Sequence, residues 1–534
     1  MLKQAFKQNK KLIFLCLVIY LISLFIRGYP IFFYGYPYGW LDSAYHTINI
    51  LSLPQYPTIM FNYDRNLNVD PILKLVNPDS IALQDNPPLF YLSTGILSNI
   101  LLPFTKDISS GYLSMAILYS LVPVILFLFL KFVMKNGVFA FFGAIFLAIS
   151  PSDFWHLRQG YWTMIFGTIF FFLAIHQSFR YFSDPNRRNF SKAMFSIVLM
   201  LIGFTPYIII YCVSMVFFSV LNYKEKKIFL RFLKITLIAF IISLPFLINF
   251  LNGYFIPNIK TFGARSASTP IYMQEINAVM DLTDILWIII PVGAFAMSLS
   301  LITGFKREEC IKILTPIMGI IISFLLGGYY FRVSEYPSRI FGGILPHIIV
   351  LLSTYGIYFF YQYAIKASKE GARIKNCLIK KSTQAAFVSV VLFIMFLVLF
   401  PRTSFLLNQR PMIDDEKNEA LRWLRYNTEK TSTVYFIGFF SDWRHLSFRN
   451  ASEISIKESG TGQMQFDVDL LKALDHDYIV VSIEDGTKEL KDFFENVKNT
   501  IAGMGLQITM SNEKVNIFKV SNRESLKTIL QANK

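Results

Sequence analysis

Long apolar runs, broken by short polar or basic stretches, recur between residues 12 and 400. They lie near 12–26, 88–104, 112–130, 138–150, 161–179, 194–204, 207–222, 228–250, 283–304, 311–327, 340–362 and 383–400. Many approach the roughly 17–25 residues a helix needs to cross a hydrocarbon core. They are continuous rather than alternating, which predicts spanning helices and excludes an outer-membrane barrel. After residue 401 the pattern changes. Helical periodicity covers 415–427, 465–474 and 487–502, and strand-like segments cover 433–440, 478–484, 506–510 and 514–520. This predicts a small α/β unit over 402–534, with no internal repeat anywhere in the chain.

Composition narrows the class. Of 534 residues, 54% are hydrophobic and 16% charged, against about 25% charged in soluble chains. A soluble enzyme, a disordered chain, a collagen-like fibre and a disulfide scaffold are excluded. The expectation is a polytopic α-helical membrane protein, 1–401, carrying a soluble α/β domain, 402–534. Four lysines in MLKQAFKQNKK precede the first apolar run. No small-residue cleavage site follows, so an uncleaved first span is expected. Cys16, Cys212, Cys310 and Cys377 are widely separated and lack metal-ligand spacing.

The net charge of +16 is unevenly placed. Residues 1–401 hold 33 Lys/Arg and 16 Asp/Glu, whereas 402–534 hold 18 and 19. A positive excess confined to the membrane part is the imprint of cytoplasmic loops, not of a nucleic-acid face. The N-terminus and segments 131–137, 180–192, 223–234, 305–312 and 365–381 carry 24 of those 33 cations. If every apolar run spanned, most of these segments would fall outside. Treating 88–104, interrupted by Ser, Thr, Gly and Asn, as an interfacial helix returns them all to the cytoplasm. Eleven spans then remain, with the N-terminus inside and the tail outside. Residues 194–222 become a hairpin of two short helices turning at Thr205-Pro206-Tyr207. The outer face is built from 27–111, 151–160, 251–282, 328–339 and the tail.

Ionisable groups near a membrane are costly and point to function. In Tyr38-Gly39-Trp40-Leu41-Asp42-Ser43-Ala44-Tyr45-His46, Asp42 can act as a general base toward an acceptor hydroxyl. It can equally cap the amphipathic stretch that follows. His46 reads as an interfacial packing residue rather than a metal ligand. Asp85, before Asn86-Pro87-Pro88-Leu89-Phe90-Tyr91, can bind substrate or cap the next helix. Asp153 and Arg158, in Asp153-Phe154-Trp155-His156-Leu157-Arg158, place an acid and a cation at the mouth of a span, where the arginine can clamp a lipid phosphate. Arg332, Glu335, Tyr336 and Arg339 share a loop where positive charge is otherwise scarce. This suggests a phosphate-binding end of a donor site, or a structural Glu335–Arg pair. No Walker A sequence, dinucleotide turn, nucleophile elbow or Cys/His metal signature is present. An activated group would therefore come from a lipid-linked donor.

These residues resemble the GT-C superfamily of polyprenyl-phosphate-dependent glycosyltransferases, which includes oligosaccharyltransferases, protein O-mannosyltransferases and aminoarabinose transferases. In them a long first outer loop carries the catalytic acid, matched here by Asp42. A His-Pro-Pro-Leu-Tyr element is similar to Asn86-Pro87-Pro88-Leu89-Phe90-Tyr91. A second acid is matched by Asp153, and a late arginine at the donor phosphate by Arg332 or Arg339. Residues 418–428 resemble the start of the oligosaccharyltransferase outer domain. Where those subunits carry Trp-Trp-Asp-Tyr-Gly, this chain has Phe440-Ser441-Asp442-Trp443-Arg444, and no second acid follows Asp42 at the next position but one.

The resemblance implies an inverting transferase at the outer face of a prokaryotic plasma membrane. It would use a polyprenyl-phosphate-linked sugar donor and a lipid, glycan or protein acceptor. Asp42 would be the base, and Arg332, Arg339 and Arg158 would meet the phosphate. Asp85, Asp153, Glu335 and Tyr336 are further candidates for substrate contact. A divalent metal is left open. The rivals are en bloc glycan transfer and a non-catalytic transporter; the latter predicts repeat symmetry and polar residues buried mid-span.

Overall fold

The computed structural model describes residues 2–37, 46–47, 50, 88–250, 286–330, 336–371, 404, 406–407, 413–429, 431–438, 450–453, 455–458, 464–467, 470–482, 488–521 and 523–532. Within these, the chain is mostly helical to residue 371. α1 (Leu2–Tyr34) is followed by α2 (Pro88–Leu101), α3 (Asp107–Tyr119), α4 (Leu121–Met134) and α5 (Gly137–Ala148). Then come α6 (Pro151–Gln159), α7 (Trp162–Ser183), α8 (Arg187–Gly203), α9 (Tyr207–Leu221) and α10 (Lys226–Phe250). α11 (Leu286–Thr303), α12 (Arg307–Tyr330) and α13 (Tyr336–Gly371) complete the bundle.

Five described stretches are long and apolar enough to cross a membrane: Lys10–Tyr34, Ile108–Met134, Trp162–Ser183, Lys226–Ile248 and Gly343–Lys366. The apolar run 383–400 lies outside the described residues. Two helices differ from the sequence pattern. The 112–130 run is two helices, α3 and α4, meeting at the buried Ser120, whose hydroxyl donates to the Ala116 carbonyl at 2.6 Å. The 194–204 run belongs to a longer helix, α8, of 17 residues. Its first turn is polar, so hydropathy alone undercounts it; Asn186 caps it by accepting from the Asn189 amide at 2.8 Å. The following turn falls at Thr205-Pro206, where proline ends the hydrogen-bond ladder.

α7 is the centre of the bundle, with 16 of its 22 residues buried. A helix buried on nearly all sides is apolar over most of its surface, as this one is from Trp162 to Ile175, with His176, Gln177, Ser178 and Arg180 falling in its last turns. α11 and α13 touch backbone to backbone: a Cβ on Gly293 would stand 2.5 Å from the Leu352 carbonyl oxygen, and one on Gly356 3.0 Å from Gly293 Cα. Such small-residue contacts replace the hydrophobic drive that helices lack inside a bilayer. At one end of the bundle the basic segments gather. Lys312 lies over the Phe132 ring and Lys366 over Phe305, and the Tyr358 hydroxyl donates to the Met134 carbonyl. Arg231 likewise donates to the Phe182 carbonyl at 2.9 Å.

The tail sits at the other end. α14 (Asp415–Asn427), β1 (Thr433–Ile437), β2 (Asn450–Glu453), β3 (Ser455–Glu458), β4 (Met464–Asp467), α15 (Leu470–Ala473), β5 (Tyr478–Ser482), α16 (Lys488–Gly503), β6 (Gln507–Ser511), β7 (Val515–Lys519) and α17 (Arg523–Ala532) follow in order. Five strands form a sheet in the order β2-β1-β5-β7-β6; β1 runs parallel to β2 and β5, and β7 antiparallel to β5 and β6. β3 and β4 pair separately. The predicted helix over 465–474 is cut short: 464–467 is β4, and among the described residues of that stretch only Leu470–Ala473 is helical. Strand β1 alternates sides. Val434 and Phe436 pack with Ala420, Leu421 and Leu424 of α14, while Tyr435 and Ile437 pack with Phe494, Ile501 and Leu526 of α16 and α17. Both faces are covered, so the central strands are apolar throughout.

Candidate active site

Where α1, α3 and α6 meet lies a buried ion pair. Arg27 donates to Asp153, to the Ser23 hydroxyl and to the Ala148 carbonyl, and Tyr119 donates to the other Asp153 oxygen. Both charged side chains are 1% exposed, and the guanidinium lies 4.5 Å from the Tyr119 ring centroid. Sequence order sets Asp153 beside Arg158; the fold also gives it Arg27, 126 residues away, and both its oxygens are engaged. α6 is short because Pro151 opens it and Gly160, at φ +87°, closes it in a left-handed turn. Its apolar side joins Phe154 to Leu406 and Leu407, against Ile26, Tyr29 and Tyr34 of α1.

Beside this pair stands a second junction. His46, four residues past Asp42, is buried with its ring stacked on Trp162, centroids 5.6 Å apart and planes 23° apart. Its Nδ1 and the Tyr91 hydroxyl are in hydrogen-bond contact at 2.8 Å, and Phe90 meets the ring edge-on. Burial pushes the imidazole down to about 3, partly opposed by a backbone hydrogen bond to Gly160. The ring is therefore neutral at physiological pH. Trp162 is fixed in turn by donating Nε1–H to the Leu157 carbonyl at 2.9 Å and by the Tyr112 ring.

His46 thus joins three of the sequence clusters: its own, the Pro-Pro-Leu-Phe-Tyr element that opens α2, and the turn after α6. α13, whose first turn holds the end of the fourth, packs on α6 and α7. Asp42, Asp85, Arg332 and Glu335 lie outside the described residues. Arg158 belongs to α6, and Tyr336 and Arg339 to the first turn of α13; the positions of their side chains lie outside the described residues. Among the described residues no three His, Cys, Asp or Glu side chains gather as a metal ion requires. Sequence reasoning passed over Arg27. The signal was present: it is one of nine membrane-part cations outside the basic segments.

No protein-family model matches the chain, and no curated protein matches it by sequence. Solved structures do. The archaeal oligosaccharyltransferase AglB from Archaeoglobus fulgidus, in complex with an inhibitory peptide and a dolichol-phosphate, superposes with a TM-score of 0.55 at 12% identity; the match covers 96% of this chain and 75% of that one. ArnT from Cupriavidus metallidurans, bound to undecaprenyl phosphate, gives 0.52 at 10% identity, covering 97% and 99%. Its apo state gives 0.52 at 10%, covering 98% and 99%. The chain takes the fold of these GT-C, polyprenyl-phosphate-dependent glycosyltransferases.

Proposed function

We propose that this protein is a membrane glycosyltransferase that moves a sugar from a polyprenyl-phosphate donor to an acceptor at the tail-side face of the membrane. The observation that carries this reading is the His46 junction. It anchors the chain four residues from Asp42 against the start of α2 and the turn after α6, where the resemblance puts the acid, the Pro-Pro element and the second loop of a GT-C site. The GT-C fold, matched over nearly the full length of ArnT, supports the class.

Asp42 takes the proton of the acceptor hydroxyl. The acceptor oxygen then attacks the anomeric carbon opposite the phosphate, the sugar–phosphate C–O bond breaks, and polyprenyl phosphate departs. Displacement from the opposite side inverts the anomeric centre. Arg332 and Arg339, with Arg158, meet the departing phosphate and stabilise the charge that develops on it. The tail-side face is the extracytoplasmic one in a prokaryotic plasma membrane; the gathering of basic segments at the far end of the bundle supports this.

Incubating purified protein with radiolabelled polyprenyl-phosphate sugars and candidate acceptors tests the reading. Transfer of a single sugar that Asp42→Asn abolishes, with folding intact, supports it. Asp42→Asn retaining a third or more of the turnover would make Asp42 a cap. Transfer of a whole glycan would place the chain with the oligosaccharyltransferases, and no transfer with any donor would favour a transporter.

A further inference from the structure

The tail is joined to the bundle at the roots of the first long loop. Tyr36, 3% exposed, lies in the same apolar cluster as Ile413, Ala420, Leu421 and Leu424 at the α14 face of the tail. Its hydroxyl donates to Asp415, at the first position of α14. Ile108, in the first turn of α3, is 1% exposed and enters that cluster from the other side of the loop. Lys106 connects the two roots: its Nζ stands 3.9 Å from the Tyr36 ring centroid and pairs with Asp415. The Ser109 hydroxyl also donates to the Gly35 carbonyl at 2.6 Å. One core therefore holds parts of the tail sheet, the end of α1 and the start of α3. Along the chain Tyr36 precedes Asp42 by six residues, and the anchored His46 follows it by four.

We propose that the tail is a clamp on this segment. Seating Tyr36 and Ile108 against α14 holds one end of the stretch that carries Asp42, as the His46 junction holds the other, and so sets where the base meets the acceptor. Tyr36, Ile108 and Asp415 are positioning residues. Asp415 is 75% exposed, so it sets the register of the seat, while the buried ring and the isoleucine hold it. The inference rests on Asp42 being the base.

The test uses the full-length protein in nanodiscs and reads two quantities. Hydrogen exchange over 415–427 and 46–50 reports the seat; kcat and donor KM report the reaction. Tyr36→Phe keeps the ring and leaves both readings within about twofold of wild type, whereas Tyr36→Ala speeds exchange in both segments and lowers kcat by about tenfold or more at nearly unchanged donor KM. A role confined to stability predicts faster exchange in the tail alone with kcat preserved, and that result overturns the clamp. So does unchanged exchange in Tyr36→Ala. Ile108→Ala, which removes the other root, decides the matter where Tyr36→Ala yields no folded protein. If wild type transfers no sugar, the base assignment falls, and exchange at 46–50 alone then decides whether the tail clamps this segment.

Discussion

Two ion pairs bind α1 and α3 to other parts of the molecule, and they differ in almost everything but charge. Arg27–Asp153 is sealed at 1% exposure on both sides, with the Ser23 hydroxyl, the Ala148 carbonyl and the Tyr119 hydroxyl as further partners and the Arg27 Nε buried without one among the described residues. Lys106–Asp415 stands at 39% and 75% exposure, over a tyrosine ring that is itself buried. In the first, charge is the structure: neither group has water to fall back on, so each depends on the other. In the second, charge is a trim on an apolar seat, since an exposed pair contributes about 0–1 kcal/mol while burying an aromatic ring contributes about 1.5–3 kcal/mol.

The largest effect should come from breaking the sealed pair. Asp153→Ala strands the Arg27 guanidinium and should cost about 3–5 kcal/mol, whereas replacing both partners with leucine should recover most of the loss. Thermal unfolding in detergent checks this. A double variant as unstable as the single one would mean that the site needs its charges for more than mutual satisfaction.

Cations that meet a ligand form a third class, between the two. If Arg332 or Arg339 grips the donor phosphate, Lys keeps the charge but loses the planar fork. At least one Lys variant should then lose about tenfold or more in donor KM or kcat, as a charge-assisted hydrogen bond contributes about 1.5–3 kcal/mol. A structural Glu335–Arg pair predicts instead that Lys is tolerated and Glu335→Gln is as harmful. Kinetics over a range of donor concentrations separate the two.

The His46 junction should respond to acid. Its folded imidazole is held at about 3 against an ordinary 6.5, so between those values the unfolded chain binds more protons than the folded one. Stability is therefore complete above the ordinary value and falls as the pH drops through the window, by up to about 1.4 kcal/mol per pH unit. Unfolding midpoints measured from pH 7 to pH 4 should show this slope, and His46→Gln should flatten it. An equal slope in the variant would assign the acid sensitivity elsewhere.

The smallest effect belongs to the exposed pair. Asp415→Asn should cost under about 1 kcal/mol. The Asp415 carboxylate is held below its usual range by hydrogen bonds from Lys106 and Tyr36, so what it contributes is present at neutral pH and lost only as pH falls through the carboxylate range. A loss comparable to that of Asp153→Ala would erase the distinction between the two pairs.

The apolar runs from 88 to 362 all stand as helices, because burial and backbone satisfaction in a bilayer leave a continuous apolar run no other form. Helix 415–427 and strands at 433, 478, 507 and 515 were legible for a similar local reason: periodicity and caps lie within one element. Short β2–β4 and the final helix carried too little pattern to be seen. The candidate site was legible in pieces. Asp42, Asn86-Pro87-Pro88 and Asp153 each drew notice by chemistry out of place, and His46 reads as a packing residue both ways.

What the sequence by itself determined is where helices run and which segments carry positive charge, since both are properties of neighbours along the chain. That Asp153 belongs to Arg27, 126 residues away, that Tyr91 and Trp162 close on His46, and that Tyr36 completes the core of a tail nearly 380 residues on, only the tertiary structure decided. Periodicity records which face of a helix is apolar, but not which of several apolar faces it will meet. A buried charge shows that a partner must exist; only the packing of the whole bundle selects it.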